Sequence, residues 1–198
     1  KNLSGGNDDT ILAVDIIEVV NAAANLASNE IRHRALLERQ FEEVPCVAAN
    51  PGRLAQVFIN LLVNAAQSIR SGHAQEHTVG IRVLNTPTGR VAVEIWDNGP
   101  GMKPEVLARI FEPFFTTKSE NGGLGLGLLI CHNIVEDLGG QITVQSLLDH
   151  GTCFRVELPS ITDYTEKEVV SPESTPLSPP NKGLHLLVVD DEPLIARA

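Results

Sequence analysis

The stretch "QVFINLLVNAAQSIR", residues 56–70, constrains the fold more than any other part of the chain. Read as a helix it is apolar nearly all round: from Leu54 to Ala66, every position outside one narrow stripe is Leu, Val, Phe, Ile or Ala. The stripe consists of Arg53, Gln56, Asn60, Asn64 and Gln67, whose three- and four-residue spacing puts them on one face at 3.6 residues per turn. Such a helix is expected to be largely buried. Buried amides need partners, so the stripe either faces a polar cavity or forms a thin solvated strip on a core helix.

The rest of the chain supplies layers to bury it. Residues 11–30 read as a short strand running into an Ala-rich helix, and "HRALLERQF" as a strand returning toward "EEVPCVAAN". Asn50 is the expected N-cap of the asparagine helix, with Pro51 as its first residue. "VGIRVL" and "RVAVEIW" alternate around the turn "NTPTG", which predicts an antiparallel hairpin. "LGLGLLICHNIVEDLGG" is a helix opened by glycines and stopped by Gly139 and Gly140. "QITVQSL" and "CFRVELP" make a second hairpin around "LDHGT". One layer of antiparallel sheet with helices packed on one face, an α+β sandwich, is the economical solution. From residue 160 to 182 the composition turns to Ser, Thr, Glu and Pro and reads as a linker. "GLHLLVVDDEPLIARA", residues 183–198, looks like the first strand of another domain.

Charge and cysteine usage exclude several function classes. A net charge of −10 without any basic cluster argues against a nucleic-acid surface. Cys46, Cys131 and Cys153 are an odd set without CxxC spacing, which fits buried thiols in a reducing compartment better than disulfides or zinc. No apolar run approaches the length of a membrane span and no signal peptide precedes the fold, so a cytoplasmic location without membrane contact is expected for these residues. The opening "KNLSGGNDDT" reads as a cut from a longer protein, which could itself be membrane-anchored. His73 and His77 have helical metal-ligand spacing but follow Gly72 in a polar connector, and a solvated turn is the better reading.

Two glycine-rich stretches carry the chemistry. "DNGPGM" puts Asp97 at the end of a strand, followed by Gly99 and Gly101, which permit tight turns and close approach of backbone to a ligand. "GGLGLGLL" is glycine-rich at the mouth of a helix, where free N–H groups and the helix dipole favour phosphate. Neither common phosphate motif fits it. Leu128 stands where a dinucleotide fingerprint needs its third glycine, and no Gly-Lys-Ser/Thr is present for a P-loop.

Taken in order, "NLLVNAAQ", "DNGPGM", "FEPFFTTK", "GGLGLGLL" and "GTCF" resemble the N, G1, F, G2 and G3 boxes of the ATP-binding catalytic domain of sensor histidine kinases, over about residues 10–159. The resemblance implies a two-layer sandwich of the Bergerat type, with a mixed, mostly antiparallel sheet and helices on one face. It implies ATP and Mg2+ as cofactors and gives roles by position. Asn64 is the expected magnesium ligand, with Asn60 one turn earlier supporting the phosphate end. Asp97 is expected to accept from the adenine amino group, helped by Thr152, with Gly99 and Gly101 in the same box. Gly123, Gly125, Leu126 and Gly127 belong to the phosphate-binding box, the last three through backbone amides. Residues 102–122 would be the ATP lid, packed down by Phe111, Phe114 and Phe115, with Lys118 near the terminal phosphate. Magnesium keeps its waters and takes few protein oxygens, which suits an amide row.

The departures from the pattern matter as much. Related chaperone, gyrase and mismatch-repair ATPases carry a Glu one turn before the metal Asn to activate water; here Asn60 occupies that position, and no acid lies between Pro51 and Arg70. Without a base the site is expected to hold ATP for transfer. Leu124 replaces a residue that is often small or hydroxylated, and Asn50 one that is often Asp. The six histidines are followed by Arg34, Ala74, Thr78, Asn133, Gly151 and Leu186, none acidic, so no phosphoacceptor is expected here. The resemblance puts the acceptor on a dimerising helical hairpin upstream of Lys1, with residues 1–9 as the remnant of the connection. "LLVVDDEP" resembles the first strand of a response-regulator receiver, with Asp190 and Asp191 as magnesium-binding acids in an intact receiver, which implies a hybrid kinase. A nucleotide-sensing module without transfer activity and a hydrolytic ATPase are the alternatives.

Overall fold

The computed structural model describes residues 10–117 and 124–161. The elements run β1 (Leu12–Val14), α1 (Ile16–Ile31), β2 (Leu36–Phe41), β3 (Val47–Ala49), α2 (Pro51–Ser68), β4 (Thr78–Asn85), β5 (Val91–Asp97), α3 (Pro104–Leu107), α4 (Gly127–Asp137), β6 (Gln141–Leu147) and β7 (Gly151–Leu158). Five strands form one sheet in the order β2-β4-β5-β7-β6, and β1 pairs with β3 in a separate two-stranded ribbon. Only the β2–β4 pair is parallel, so the fold is α+β with a mixed, mostly antiparallel sheet.

The helices begin and end where their residues dictate. The Asn50 side chain accepts from the Arg53 N–H at 2.9 Å and Pro51 opens α2. Asp15 caps α1 in the same way, accepting from Ile17 N–H at 2.8 Å. Along α1 the buried face is Ile16, Val19, Val20, Ala23, Ala24, Ala27 and Ile31, and its alanines let the helix lie close to α2. α4 closes in a Schellman turn: Gly140 N–H reaches Val135 O and Gly139 N–H reaches Glu136 O, both at 2.9 Å, with Gly139 at φ 66°.

Strand alternation then divides the sheet. Val79, Ile81, Val83, Val91, Val93, Ile95, Phe154 and Val156 face the helices and are buried against Leu54, Phe58, Leu61 and Leu62 of α2. The other face carries Trp96, whose ring covers Gly80, and a cross-strand charge ladder in which Arg82 and Arg155 both pair with Glu94 and Arg155 also pairs with Glu157. Ser160 and Ile161, expected at the head of the linker, belong to this unit: Ser160 is fully buried and bridges Val47, and Ile161 N–H donates to Cys46 O at 2.9 Å. A bridge to β3 and a backbone bond to the residue before it hold what composition alone assigns to solvent. Among the described residues, no helix is long and apolar enough to cross a membrane.

Candidate functional site

The asparagine stripe of α2 lies at the rim of the helix layer. Asn60 and Asn64 are half-buried, while Gln56 and Gln67 at its margins are exposed. The row continues by four residues to Ser68, half-buried and turned into the fold. Its hydroxyl lies 3.1 Å from Asp97 Oδ1 and 2.8 Å from the Ala65 carbonyl. Sequence spacing offered Ser68, since 60, 64 and 68 keep a strict four-residue step, but the expected stripe took Gln67.

Asp97 ends β5 and is buried, at 6% exposure. Its Oδ1 accepts from Gly99 N–H at 2.9 Å. In the β5–β7–β6 register, Asp97 stands opposite Thr152 and Thr152 opposite Ser146, so the three polar side chains share one row on the helix-facing side. The Ser146 hydroxyl is 2.9 Å from that of Thr152 and accepts from Met102 N–H at 2.9 Å. Ser146 was not among the expected site residues; only the hairpin register reveals it. Asn98, between the acid and the first glycine, turns away: its Oδ1 accepts from Thr78 N–H at 2.8 Å and closes the end of β4.

The glycines let the chain pack closely on itself. A Cβ at Gly99 would meet Asp97 Oδ1 at 2.7 Å and Ser68 Oγ at 2.8 Å. At Gly101, with φ 64°, it would meet Leu147 O at 2.1 Å, and at Gly151, with φ 94°, Asp97 O at 1.9 Å. At these positions the loop after β5 is clamped onto the β6–β7 turn, and Asp97 is fixed between them.

At the other end of the row lies the start of α4. Leu126 is its N-cap and makes no side-chain cap bond, and the N–H groups of a helix's first turn point out of its end. A Cβ at Gly127 would have only the Asn60 amide near it, at 3.9 Å, so α4 begins beside Asn60. Gly125, at φ 67°, accepts Phe114 N–H at 3.1 Å and has no room for a side chain against residues 114 and 115. This bond ties "FEPFF" to the glycine loop.

The three phenylalanines divide. Phe111 packs against the core and stacks 5.4 Å from the His132 ring, while Phe115 lies half-buried under the Arg109 guanidinium at 4.4 Å. Phe114 does not pack down. Its backbone adopts φ 63° to deliver its N–H to Gly125, and its ring is 75% exposed. Lys118, Gly123, Asp190 and Asp191 lie outside the described residues.

The residues present suit a hydrated hard cation beside a phosphate chain. Asn64 offers a half-buried amide that makes no hydrogen bond to other described residues, an oxygen donor of the kind magnesium accepts. Among the described residues no cluster of three or more His, Cys, Asp or Glu could replace it.

Comparison with known proteins follows the same lines. Over 154 residues the chain is 35% identical to the sensor histidine kinase ZraS of Salmonella typhi, which covers 77% of this chain and 32% of that protein. It thus spans about a third of the length of the curated relatives it matches. Among solved structures, the catalytic domain of histidine kinase ThkA superposes with a TM-score of 0.62 at 31% identity, covering 76% of this chain and 95% of that one. Full-length ShkA in complex with AMPPNP gives 0.64 at 31% identity, covering 76% and 31%. Residues 49–162, more than half of the chain and the whole of the site from α2 to the β6–β7 turn, match one family model, and the chain belongs to that family, the histidine kinase-, DNA gyrase B- and HSP90-like ATPases.

Proposed function

We propose that this chain is the ATP-binding catalytic domain of a two-component hybrid sensor histidine kinase, which binds Mg-ATP and passes its γ-phosphoryl group to a histidine on a separate dimerising hairpin. The observation that carries the reading is the polar row on α2. Ser68, against Asp97, and Asn60, beside the start of α4, are eight residues apart, a rise of about 12 Å. That is the scale of a nucleoside triphosphate from base to terminal phosphate.

In this reading the buried Asp97 carboxylate accepts from the adenine amino group, where guanine would present a carbonyl, and Thr152 borders the same contact. The backbone amides of Gly125, Leu126 and Gly127 and the positive end of α4 take the phosphates, joined by Gly123 and Lys118. Asn64 supplies an oxygen to magnesium and Asn60 stands behind it. Bound magnesium neutralises charge on the transferring phosphoryl group. Position 60 holds an amide, and an amide takes no proton from water, which favours transfer over hydrolysis. A receiver carrying Asp190 and Asp191, in cis, or a separate response regulator would accept the phosphoryl in turn.

Calorimetric titration with ATP and GTP, with and without Mg2+, tests the nucleotide reading, and incubation with γ-labelled ATP tests the chemistry. Magnesium-dependent binding of ATP over GTP is expected, without stable label on this chain. Equal affinity for the two nucleotides, or stable label on the chain itself, would overturn it.

A further inference from the structure

Cys131 lies in the first half of α4, fully buried and turned toward α2. None of the contacts proposed above uses it. Its Sγ is 3.7 Å from the Val57 carbonyl oxygen and 3.7 Å from Nδ2 of Asn60. A thiol has one hydrogen to give, and its sulfur is a weak acceptor. In the observed geometry the Cys131 thiol donates to the Val57 carbonyl, which can only accept, and this contact takes up the thiol hydrogen. Whatever edge of the Asn60 amide meets the sulfur must then donate, which selects the NH2 edge. Burial keeps the hydrogen in place, pushing the thiol pKa up to about 11.

The consequence lies on the opposite edge of the amide. An unconstrained asparagine can turn over and exchange its oxygen for its NH2 group. Those two orientations have opposite chemistry at the phosphate end of a nucleotide site. An oxygen accepts hydrogen bonds from the waters carried by magnesium and faces bare phosphate oxygens unfavourably, whereas an NH2 group does the reverse. We propose that Cys131 is a positioning residue for the nucleotide site: it holds the Asn60 amide with its oxygen toward the groove and so biases the site toward Mg-ATP over metal-free ATP. The inference rests on the nucleotide reading above.

The test uses Cys131→Val, close to cysteine in volume and unable to donate or accept, and Cys131→Ser, which keeps the same donor and acceptor inventory. Affinity for ATP is measured by calorimetry in Mg2+ and in EDTA, and the ratio of the two is the readout. Cys131→Val is expected to reduce that ratio by about 3- to 10-fold, the scale of one modest hydrogen bond, with the metal-free affinity unchanged or raised, and Cys131→Ser to restore it. Should the valine variant fail to fold, Cys131→Ala removes the same bonds without added bulk. A wild-type ratio in the valine or alanine variant, an equal loss in both conditions, or failure of serine to restore the ratio would overturn the role. Absence of ATP binding or of magnesium dependence in the wild type would instead sink the nucleotide reading beneath it.

Discussion

Replacing Asp97 by asparagine removes a charge and exchanges one oxygen for NH2 at nearly constant shape, which makes its outcome calculable from the geometry. Gly99 N–H donates to Oδ1 at 2.9 Å, with Ser68 Oγ 3.1 Å from the same atom. A backbone N–H can only donate, so in the variant the amide oxygen must take the Oδ1 place and the NH2 group falls on the other side. An adenine amino group arriving there meets a donor. The loss is that of a hydrogen bond to a charged acceptor, about 1.5–3 kcal/mol, or about 10- to 150-fold in ATP affinity. Guanine offers a carbonyl at that position, which an NH2 group welcomes, so GTP affinity should hold or rise while that for ATP falls. Calorimetry of wild type and Asp97→Asn with both nucleotides in Mg2+ measures the ratio directly, and thermal melting confirms that the variant is folded. A folded variant whose ATP-to-GTP preference stays within about twofold of wild type would refute the assignment of Asp97 to the base.

Asn64→Ala should abolish most of the magnesium-dependent gain in ATP affinity while leaving affinity in EDTA near wild type; unchanged Mg-ATP affinity by titration would remove Asn64 from the metal. Gly151→Ala places a Cβ 1.9 Å from Asp97 O in a backbone at φ 94°, for which about 1–3 kcal/mol of strain alone is expected. Its melting temperature should fall by several degrees and its ATP affinity with it, and an unshifted melt would contradict the clamp between the two loops. Cys131 has a folded pKa of about 11 against an ordinary 9.0, so above pH 9 the unfolded chain loses the thiol proton first. The stability it contributes is complete below pH 9 and is lost as pH rises toward about 11. Urea melts at pH 8 and pH 10.5 should show a larger drop for wild type than for Cys131→Val, and equal drops would argue against a raised thiol pKa.

What the sequence disclosed depended on how far apart the interacting residues lie. The α2 row was readable because its signal is a period within one helix, and the N-cap at Asn50 because it concerns only the consecutive residues Asn50 to Arg53. The β4–β5 and β6–β7 hairpins followed from alternation around short turns. The parallel pairing of β2 with β4 carries no such local mark, since 36 residues separate their ends and β2 is mostly exposed. Cys131 could not be tied to Asn60 from sequence either: the 71 positions between them are bridged only by the packing of α4 on α2. Gly99 and Gly101 were legible as glycines with a purpose, but the closure of one loop upon another, in which Gly151 takes part, shows only in the packing. Phe114 shows the limit in the opposite direction, because an apolar residue in an aromatic cluster reads as core until the demand of its backbone N–H for Gly125 turns its ring outward.

In the proposed reading, the distribution of charge in the site follows from what each end would hold. The chain carries a net charge of −10, and a triphosphate approaching carboxylates would be repelled. Yet α2, which carries the polar row of the proposed site, contains no acid at all. Its groove-facing row is amide, amide and hydroxyl, and the thiol behind Asn60 is held protonated by burial. Asp97, the single buried carboxylate among the described residues, lies at the Ser68 end, about 12 Å of helix from Asn60. In the proposed reading an anion there meets the base and not the phosphates, and a separation of about 12 Å exceeds the Debye length of about 8 Å at physiological ionic strength, which weakens its repulsion of the terminal phosphate. The same neutrality that admits the phosphates leaves α2 with no group able to take a proton from water. In the proposed reading, admission of the nucleotide and slow hydrolysis would thus be one property of this row, and a nucleophile that brings its own lone pair, as a neutral imidazole does, would be the partner such a site requires.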